Sequence, residues 1–213
     1  VIELTHAPTV HALIPQSLLE AIRNLDTPLD DGLGLAELAA ETVTKRLGLS
    51  TTVLAQIERY REAADAEDPV SLEEAVAVFR LVGRRPDASL VFSDAGRRAA
   101  RYAARSLSGV KRGLRRLLPR RVRRRLGVRA AGRVARKVFG VELRAQPGIT
   151  VRLIDSLAAE AEVIGTGCYF YSALFSELLR VTSGFEGAMV HERCVSRGDQ
   201  ACEWKAAEAE RYD

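Results

Sequence analysis

Three cysteines that lie close together in the sequence, Cys168, Cys194 and Cys202, are the residues best suited to do chemistry. Three thiolates together with one imidazole or carboxylate would complete a closed, four-coordinate structural zinc site. Glu192, two residues before Cys194, would share a strand face with it, whereas His191, three residues before, would need a bulge or local bend. Both are therefore candidates for the fourth ligand. The alternative is three buried, reduced thiols that bind no metal.

The usual catalytic and nucleotide-binding motifs are absent from the sequence. It contains no GxGxxG, GxxxxGK[ST], GxSxG or HExxH pattern, the signatures of dinucleotide, phosphate, acyl-transfer and zinc-protease chemistry. The three histidines, His6, His11 and His191, are scattered along the chain. We therefore predict no catalytic residues and no nucleotide cofactor.

The cysteines fall in a C-terminal part whose periodicity predicts both helix and strand. Cys168 opens a helix predicted over 169–181, in which apolar residues recur every three to four positions. Cys194 and Cys202 lie on the two arms of a hairpin that turns at Arg197-Gly198-Asp199. Alternation of apolar and polar residues predicts four strands, near 141–144, 149–154, 187–194 and 201–207.

The rest of the chain carries helical periodicity. Helices are predicted over about the first 25 residues and over about 35–47. Ser71 begins a capping box, which indicates the start of a further helix. A longer helix is predicted over 93–118, where Pro119 ends it, and an arginine-rich helix follows.

One segment has a strongly basic composition. Between Arg97 and Lys137 there are 17 Lys or Arg residues and no acidic residue, although the net charge of the chain is only +4. The counter-charge can come from the acidic remainder of the fold, from nucleic acid phosphates or from anionic lipid headgroups. Only Tyr102 and Phe139, near its ends, are aromatic, which disfavours nucleic acid recognition by base stacking. The basic segment is therefore interpreted either as an ordinary structural part of the fold or as a surface that makes peripheral contact with an anionic membrane.

The composition indicates the class of protein. With 47% hydrophobic and 28% charged residues in 213 positions, the chain is typical of a globular protein. No apolar run approaches the roughly 18 residues that a membrane span needs, and no signal peptide is visible. An odd number of cysteines without an export signal is typical of reduced thiols, so we expect a cytoplasmic protein.

Four stretches of the sequence resemble a known family. GCYFYSALFSELLR followed by MVHERCVSRGDQACEW resembles the 4-vinyl reductase domain, whose signature joins a Cys-led helix to a Glu-x-x-Cys strand, a Gly-Asp turn and a last Cys before an aromatic residue. Such domains are related to subunits of the TRAPP tethering complexes. DAGRRAARYAARSL and KRGLRRLLPRRVRRRLGVRAAGRVARKVFG resemble more specifically the bacteriochlorophyll-pathway 4-vinyl reductase family.

The resemblance implies an architecture and a metal. The fold would be α+β, with a twisted antiparallel sheet wrapped by helices, and the protein would be a homodimer. A helical N-terminal region would span 1–67 and the ligand-binding domain 68–213. Zinc would be held by three cysteines and by His191, which stands where the family usually has Glu; the cysteines are Cys168, Cys194 and Cys202.

The resemblance also implies the binding of a hydrophobic or tetrapyrrole small molecule. We expect its pocket between the 169–181 helix and the 93–118 helix. The alternatives are an enzyme that reduces the vinyl group of a tetrapyrrole and an adaptor that binds no ligand. The candidate lining residues are mainly aromatic: Tyr102, Phe139, Tyr169, Phe170, Ala173, Leu174 and Phe175.

Overall fold

The computed structural model describes residues 8–26, 51–105, 119–145, 148–163 and 165–208, which form an α+β architecture of seven helices and two small antiparallel sheets. The predicted helix over 35–47 lies outside these residues. In chain order the elements are β1 (Thr9–His11), α1 (Leu13–Asp26), α2 (Thr51–Asp65), β2 (Pro69–Ser71), α3 (Leu72–Gly83), α4 (Ala88–Arg105), α5 (Arg120–Phe139), β3 (Leu143–Arg144), β4 (Thr150–Leu153), α6 (Leu157–Glu160), α7 (Cys168–Ser183), β5 (Gly187–Arg193) and β6 (Cys202–Glu208).

Several helix ends follow from local sequence signals. The Ser71 side chain caps α3 by accepting the amide of Glu74 at 3.2 Å, which confirms the predicted helix start. The Glu74 carboxylate accepts the Tyr60 hydroxyl at 2.8 Å, so the second hydrogen bond of the predicted capping box is not among those described. α5 begins directly after Pro119 and ends at Phe139, and the following Gly140 has a left-handed φ of 65°. α4 begins at Ala88, five residues before the predicted start at 93, while its predicted continuation beyond Arg105 lies outside the described residues.

The larger sheet has four antiparallel strands in the order β3-β4-β6-β5. All four strands were predicted, and the observed ends differ from the predicted ones by at most two residues. Val151 of β4 and His191 of β5 lie on either side of Trp204 of β6 in the register. Val151 and Trp204 are buried, as is Met189, so one face of this sheet contributes to the core.

The smaller sheet, in which β1 pairs with β2, was missed by the sequence analysis. Val10 lies opposite Val70, and the ribbon joins the segment before α1 to the segment before α3. The prediction of helix over the first residues is therefore wrong for Thr9–His11. Strands of three residues are too short for the alternation of apolar and polar residues to be recognised, so the sequence did not predict them. The division of the chain at 67 stays a prediction.

The core is built around the contact between α4 and α7. A Cβ atom at Gly96 would lie 2.9 Å from the amide nitrogen of Leu174 and closer still to the carbonyl oxygen of Phe170, so the two backbones touch. Phe79 of α3 packs its ring against Phe92 of α4 and against Phe170, at centroid distances of 5.2 and 5.5 Å. Within the described parts of the chain, no helix has the length and apolar character needed to cross a bilayer.

Candidate metal centre

A tight turn places Cys168 at the start of α7. Gly167 precedes it, and a Cβ atom at this residue would lie 2.7 Å from the Cβ atom of Ala158, which is closer than two such atoms approach. Gly165 has a φ of 92°, a conformation that glycine adopts without strain. The two glycines therefore allow the segment before α7 to pack closely against Ala158, and the Cys168 thiol at the start of α7 is buried.

A hydrogen-bonded turn holds Cys194 opposite Cys202. The carbonyl oxygen of Cys194 accepts the amides of Arg197 and Asp199 at 2.9 and 3.2 Å. The carboxylate of Asp199 accepts the amide of Cys194 at 2.7 Å, and Gly198 completes the turn with a φ of 88°. β6 then begins at Cys202, and the two cysteines, both buried, face each other across the turn.

A β-bulge at Glu192 allows His191 to join the cysteines. His191 pairs with Trp204 and Arg193 with Glu203, so Glu192 is an extra residue in β5. Side chains three apart on a regular strand point to opposite faces, and the bulge supplies the irregularity that the spacing of His191 and Cys194 requires. Glu192, the other candidate for the fourth ligand, is exposed and does not belong to the group.

The four side chains converge on one point. The sulfur atom of Cys194 lies 3.9 Å from the sulfur atoms of both Cys168 and Cys202. All four potential ligand atoms, including one ring nitrogen of His191, lie within 4.8 Å of one another. Zinc–sulfur bonds of about 2.3 Å in a tetrahedron would separate neighbouring sulfur atoms by about 3.8 Å. The spacing of the thiols is therefore that of a metal-binding group, and these residues can hold a metal ion.

The imidazole of His191 is held in place but lacks a hydrogen-bond partner at one nitrogen. Its ring stacks on the indole of Trp204, with centroids 4.6 Å apart and planes inclined by 12°. Its Nε2 atom is buried and, among the described residues, is the one buried side-chain nitrogen or oxygen atom without a hydrogen bond. An unpaired buried polar atom is costly, and coordination to a metal would satisfy it.

The acidities of the ligands are set by burial and by local hydrogen bonds. Burial, with the neighbouring thiols, raises the pKa of Cys168 to about 12, and burial also raises the pKa of Cys202. Burial acts on Cys194 in the same direction, but the hydrogen bonds with Ser196, Cys168 and Cys202 together outweigh it and lower the pKa of this thiol. Burial lowers the pKa of His191, which keeps the imidazole neutral and able to ligate.

The side chains next to the group are fixed by hydrogen bonds to α7. The Trp204 indole donates to the Ser172 hydroxyl at 2.9 Å, and the Tyr171 hydroxyl accepts the amide of Leu157 at 3.0 Å. Trp204 is fully buried and its ring packs 5.5 Å from that of Tyr171. Ser172 and Ser196 were not predicted to lie beside the cysteines, because nothing in their spacing indicates it. Trp204 entered the sequence prediction only as the aromatic residue that follows the last cysteine of the quoted motif.

The predicted ligand-binding residues on α7 lie mostly in the core. Phe170, Leu174 and Phe175 are fully buried, and Phe170 contacts other aromatic rings. Ala173 is half-buried in the α4–α7 contact, 3.1 Å from where a Cβ atom of Gly96 would lie. Backbone contact at Gly96 leaves no space for a small molecule at this point between the two helices.

The other three predicted ligand residues lie apart from one another. Tyr169 is 52% exposed. Tyr102 is half-buried, donates to the carboxylate of Glu20 at 2.6 Å and lines a cavity of about 720 Å³ between α1, α2, α4 and α5. Phe139 lines a different cavity, of about 440 Å³. The structure therefore does not bring the seven residues together around one cavity, whereas it does bring together the four predicted metal ligands.

Comparison with known proteins adds no family assignment. No protein-family model, no curated protein and no solved structure matches this chain. The resemblance to the 4-vinyl reductase domain consequently stays a prediction, and the metal-binding group rests on its own geometry.

Proposed function

We propose that the chain is a small-molecule-binding protein of the 4-vinyl reductase type whose terminal hairpin is held to α7 by a structural zinc ion. The convergence of three thiols and one imidazole within 4.8 Å carries the zinc proposal. The unpaired Nε2 atom of His191 supports it independently, because that atom needs a partner inside the protein.

Zinc would act here as a cross-link. Four protein ligands leave no open coordination position, which is the arrangement of structural rather than catalytic zinc sites. The ion would join Cys168 at the start of α7 to Cys194 and Cys202 on the two arms of the hairpin. We therefore expect zinc to contribute to the stability of this corner of the fold and not to a reaction.

The zinc proposal is tested with two serine variants of neighbouring buried residues. Cys202→Ser removes one thiol, whereas Ala201→Ser introduces a similar hydroxyl one residue away and keeps all four ligands; both residues are buried. We expect about one zinc ion per chain in the wild type and in Ala201→Ser, and loss of zinc in Cys202→Ser. A chelator should lower the thermal stability of the wild type and of Ala201→Ser, and it should leave the thermal stability of Cys202→Ser unchanged.

The zinc proposal fails if the wild type contains no zinc after purification without chelator and takes up neither Zn²⁺ nor Co²⁺. Tetrahedral thiolate coordination of Co²⁺ gives visible absorption bands, so uptake is observed directly. Equal zinc content in Cys202→Ser and the wild type would also overturn it, because that result would place the ion elsewhere.

For the small molecule, we propose the cavity of about 720 Å³ beside Tyr102. This volume lies in the range of about 300–1,000 Å³ that is usual for small-molecule sites. Glu20 and Gln16 are buried polar residues in its wall, and Arg61 and Arg98 also line it. Such a wall suits a tetrapyrrole that carries carboxyl groups better than a pure hydrocarbon.

Native mass spectrometry of the freshly purified protein tests the ligand proposal, because it reports bound metal, ligand and subunit count together. With a dicarboxylic porphyrin as the probe, we expect Tyr102→Phe to weaken binding about threefold to tenfold, the value of one hydrogen bond. Tyr169→Phe alters an exposed ring outside the cavity and should leave binding unchanged. Equal porphyrin affinity in all three proteins would reject this cavity, and turnover with an added reductant would favour the enzyme instead.

A further inference from the structure

The solvent face of α5 carries a row of arginines that neither the metal group nor the Tyr102 cavity uses. Arg121, Arg125, Arg129 and Arg133 recur every four residues and are exposed. Residues four apart lie on one face of a helix, so this row, the α5 arginine row, is about 18 Å long. α5 contains no acidic residue to interrupt it.

The opposite face of α5 is fixed in the core, which holds the row towards solvent. A Cβ atom at Gly127 would lie 2.6 Å from the Cβ atom of Ser183, so α5 touches the end of α7. Ala131, Val134 and Ala135 are buried in the same core. The helix therefore cannot rotate to bury its arginines without losing this contact.

The α5 arginine row is not neutralised by the described residues around it. Two arginines of α4 do find partners inside the fold: Arg98 pairs with Asp94 at 2.7 Å and Arg101 with Glu177 at 3.1 Å. On α5, pairing is confined to residues outside the row, with Arg124 close to Glu208, Arg136 to Glu142 and Lys137 to Glu67. In the described parts of the chain, none of the four arginines of the row forms an ion pair.

Apolar side chains lie among these arginines. Val122 is 44% exposed and Leu126 is half-buried, and both share the outer part of the helix with the row. Arg129 borders two adjoining cavities, of about 900 and 550 Å³, whose walls include Val128 and Ala145. The surface thus offers both guanidinium groups and apolar contacts.

We propose that the α5 arginine row docks onto the surface of an anionic phospholipid bilayer. Guanidinium groups bind phosphate oxygens with two parallel hydrogen bonds, and basic residues are attracted to anionic lipid surfaces. Val122 and Leu126 would contact the boundary between headgroups and acyl chains, a contact that a nucleic acid backbone does not offer. No aromatic residue lies between Arg120 and Val138, so base stacking has no platform on this face.

Vesicle sedimentation of the whole 213-residue chain tests this docking surface. We expect binding to vesicles of phosphatidylcholine mixed with phosphatidylglycerol, no binding to phosphatidylcholine alone, and release at high salt because charges are then screened. Each basic residue at such a surface contributes about a fivefold increase in partitioning, so Arg125→Gln/Arg129→Gln/Arg133→Gln should weaken binding about 100-fold. The matched control neutralises three exposed arginines elsewhere: Arg59, Arg80 and Arg84.

Both triple variants reduce the net charge from +4 to +1, so a difference between them reports position rather than total charge. The control should weaken vesicle binding by less than about fivefold, the contribution of one basic residue at the surface. Equal losses in the two variants, or no vesicle binding by the wild type, would overturn the proposal. Tighter binding to a DNA duplex than to vesicles, or dissociation of a dimer by the α5 variant without any vesicle binding, would also overturn it and assign the row to nucleic acid or to a second copy.

Discussion

Opposite effects are expected when two helical glycines of this protein are replaced by alanine. Gly96 in α4 and Gly132 in α5 both lie inside helices, where alanine is favoured over glycine by about 1 kcal/mol. A Cβ atom at residue 96 would lie 2.9 Å from the amide nitrogen of Leu174 and even closer to the carbonyl oxygen of Phe170. At residue 132 the nearest atom is the carbonyl oxygen of Leu143, at 3.8 Å.

The magnitude follows from the identity of the contacted atoms. A carbon atom normally lies about 3.3–3.6 Å from a carbonyl oxygen, so α4 and α7 would have to separate by about 1 Å in Gly96→Ala. Both contacted atoms belong to the backbone of α7, and no side-chain rotation can relieve the overlap. Overpacking usually costs about 1–3 kcal/mol, and we expect about 2–3 kcal/mol here. Gly132→Ala meets ordinary contact distances and should gain about 0.5–1 kcal/mol.

Urea unfolding of the two variants, at equal metal content, measures the free energy of unfolding directly. In a chain of this size a change of about 1 kcal/mol in the free energy of unfolding shifts Tm by about 2–4 °C. In thermal unfolding, Gly96→Ala should therefore lower Tm by roughly 4–12 °C, and Gly132→Ala should raise it by roughly 1–4 °C. If Gly96→Ala were as stable as the wild type, the direct backbone contact between α4 and α7 would be wrong. A destabilised Gly132→Ala would instead refute the open environment of α5 at that residue.

Three further predictions concern single side chains. Ser172→Ala should cost about 1–3 kcal/mol in urea unfolding, because it leaves the buried indole N–H of Trp204 without an acceptor; an unchanged free energy would show that this hydrogen bond is absent. Ser71→Ala should cost about 1 kcal/mol through loss of the α3 cap, and Ser71→Asp, which can still cap, should recover most of it. Burial lowers the pKa of folded His191 below the unfolded value of 6.5, so the metal-free protein, prepared with a chelator, should become less stable as the pH falls from 6.5 towards the folded pKa. Between about pH 7.5 and 5.5, the free energy of unfolding of His191→Gln should fall by less than that of the wild type. Equal decreases in the two proteins would contradict the lowered pKa.

The metal-binding group was predictable from the sequence because its members lie on neighbouring elements with clear local signals. The Gly198-Asp199 turn joins the two cysteine-bearing arms of the hairpin. Ligation by His191 together with Cys194 required a bulge, and the structure contains one at Glu192. The choice between His191 and Glu192 needed coordinates, because residue spacing alone favoured Glu192 and only the bulge reverses that preference.

The contact between α4 and α7 was not predictable in the same way. An apolar stripe on α7 looks the same in sequence whether it faces a ligand or another helix, which is why Phe170, Leu174 and Phe175 were expected to line a pocket. In the structure they are fully buried in the core. The close approach at Gly96 depends on which residue of α7 lies opposite it, and this pairing is set by long-range packing rather than by local sequence.

The stacking of His191 on Trp204 gives this protein an optical reporter. Trp204 is the single tryptophan of the chain, so all indole emission comes from one fully buried ring that lies 4.6 Å from the imidazole. A change in the electron density of that imidazole, by protonation or by donation to a cation, alters the quenching of the indole excited state. Fluorescence of the unlabelled chain therefore reports the state of His191 continuously, during titration or unfolding, without an attached dye.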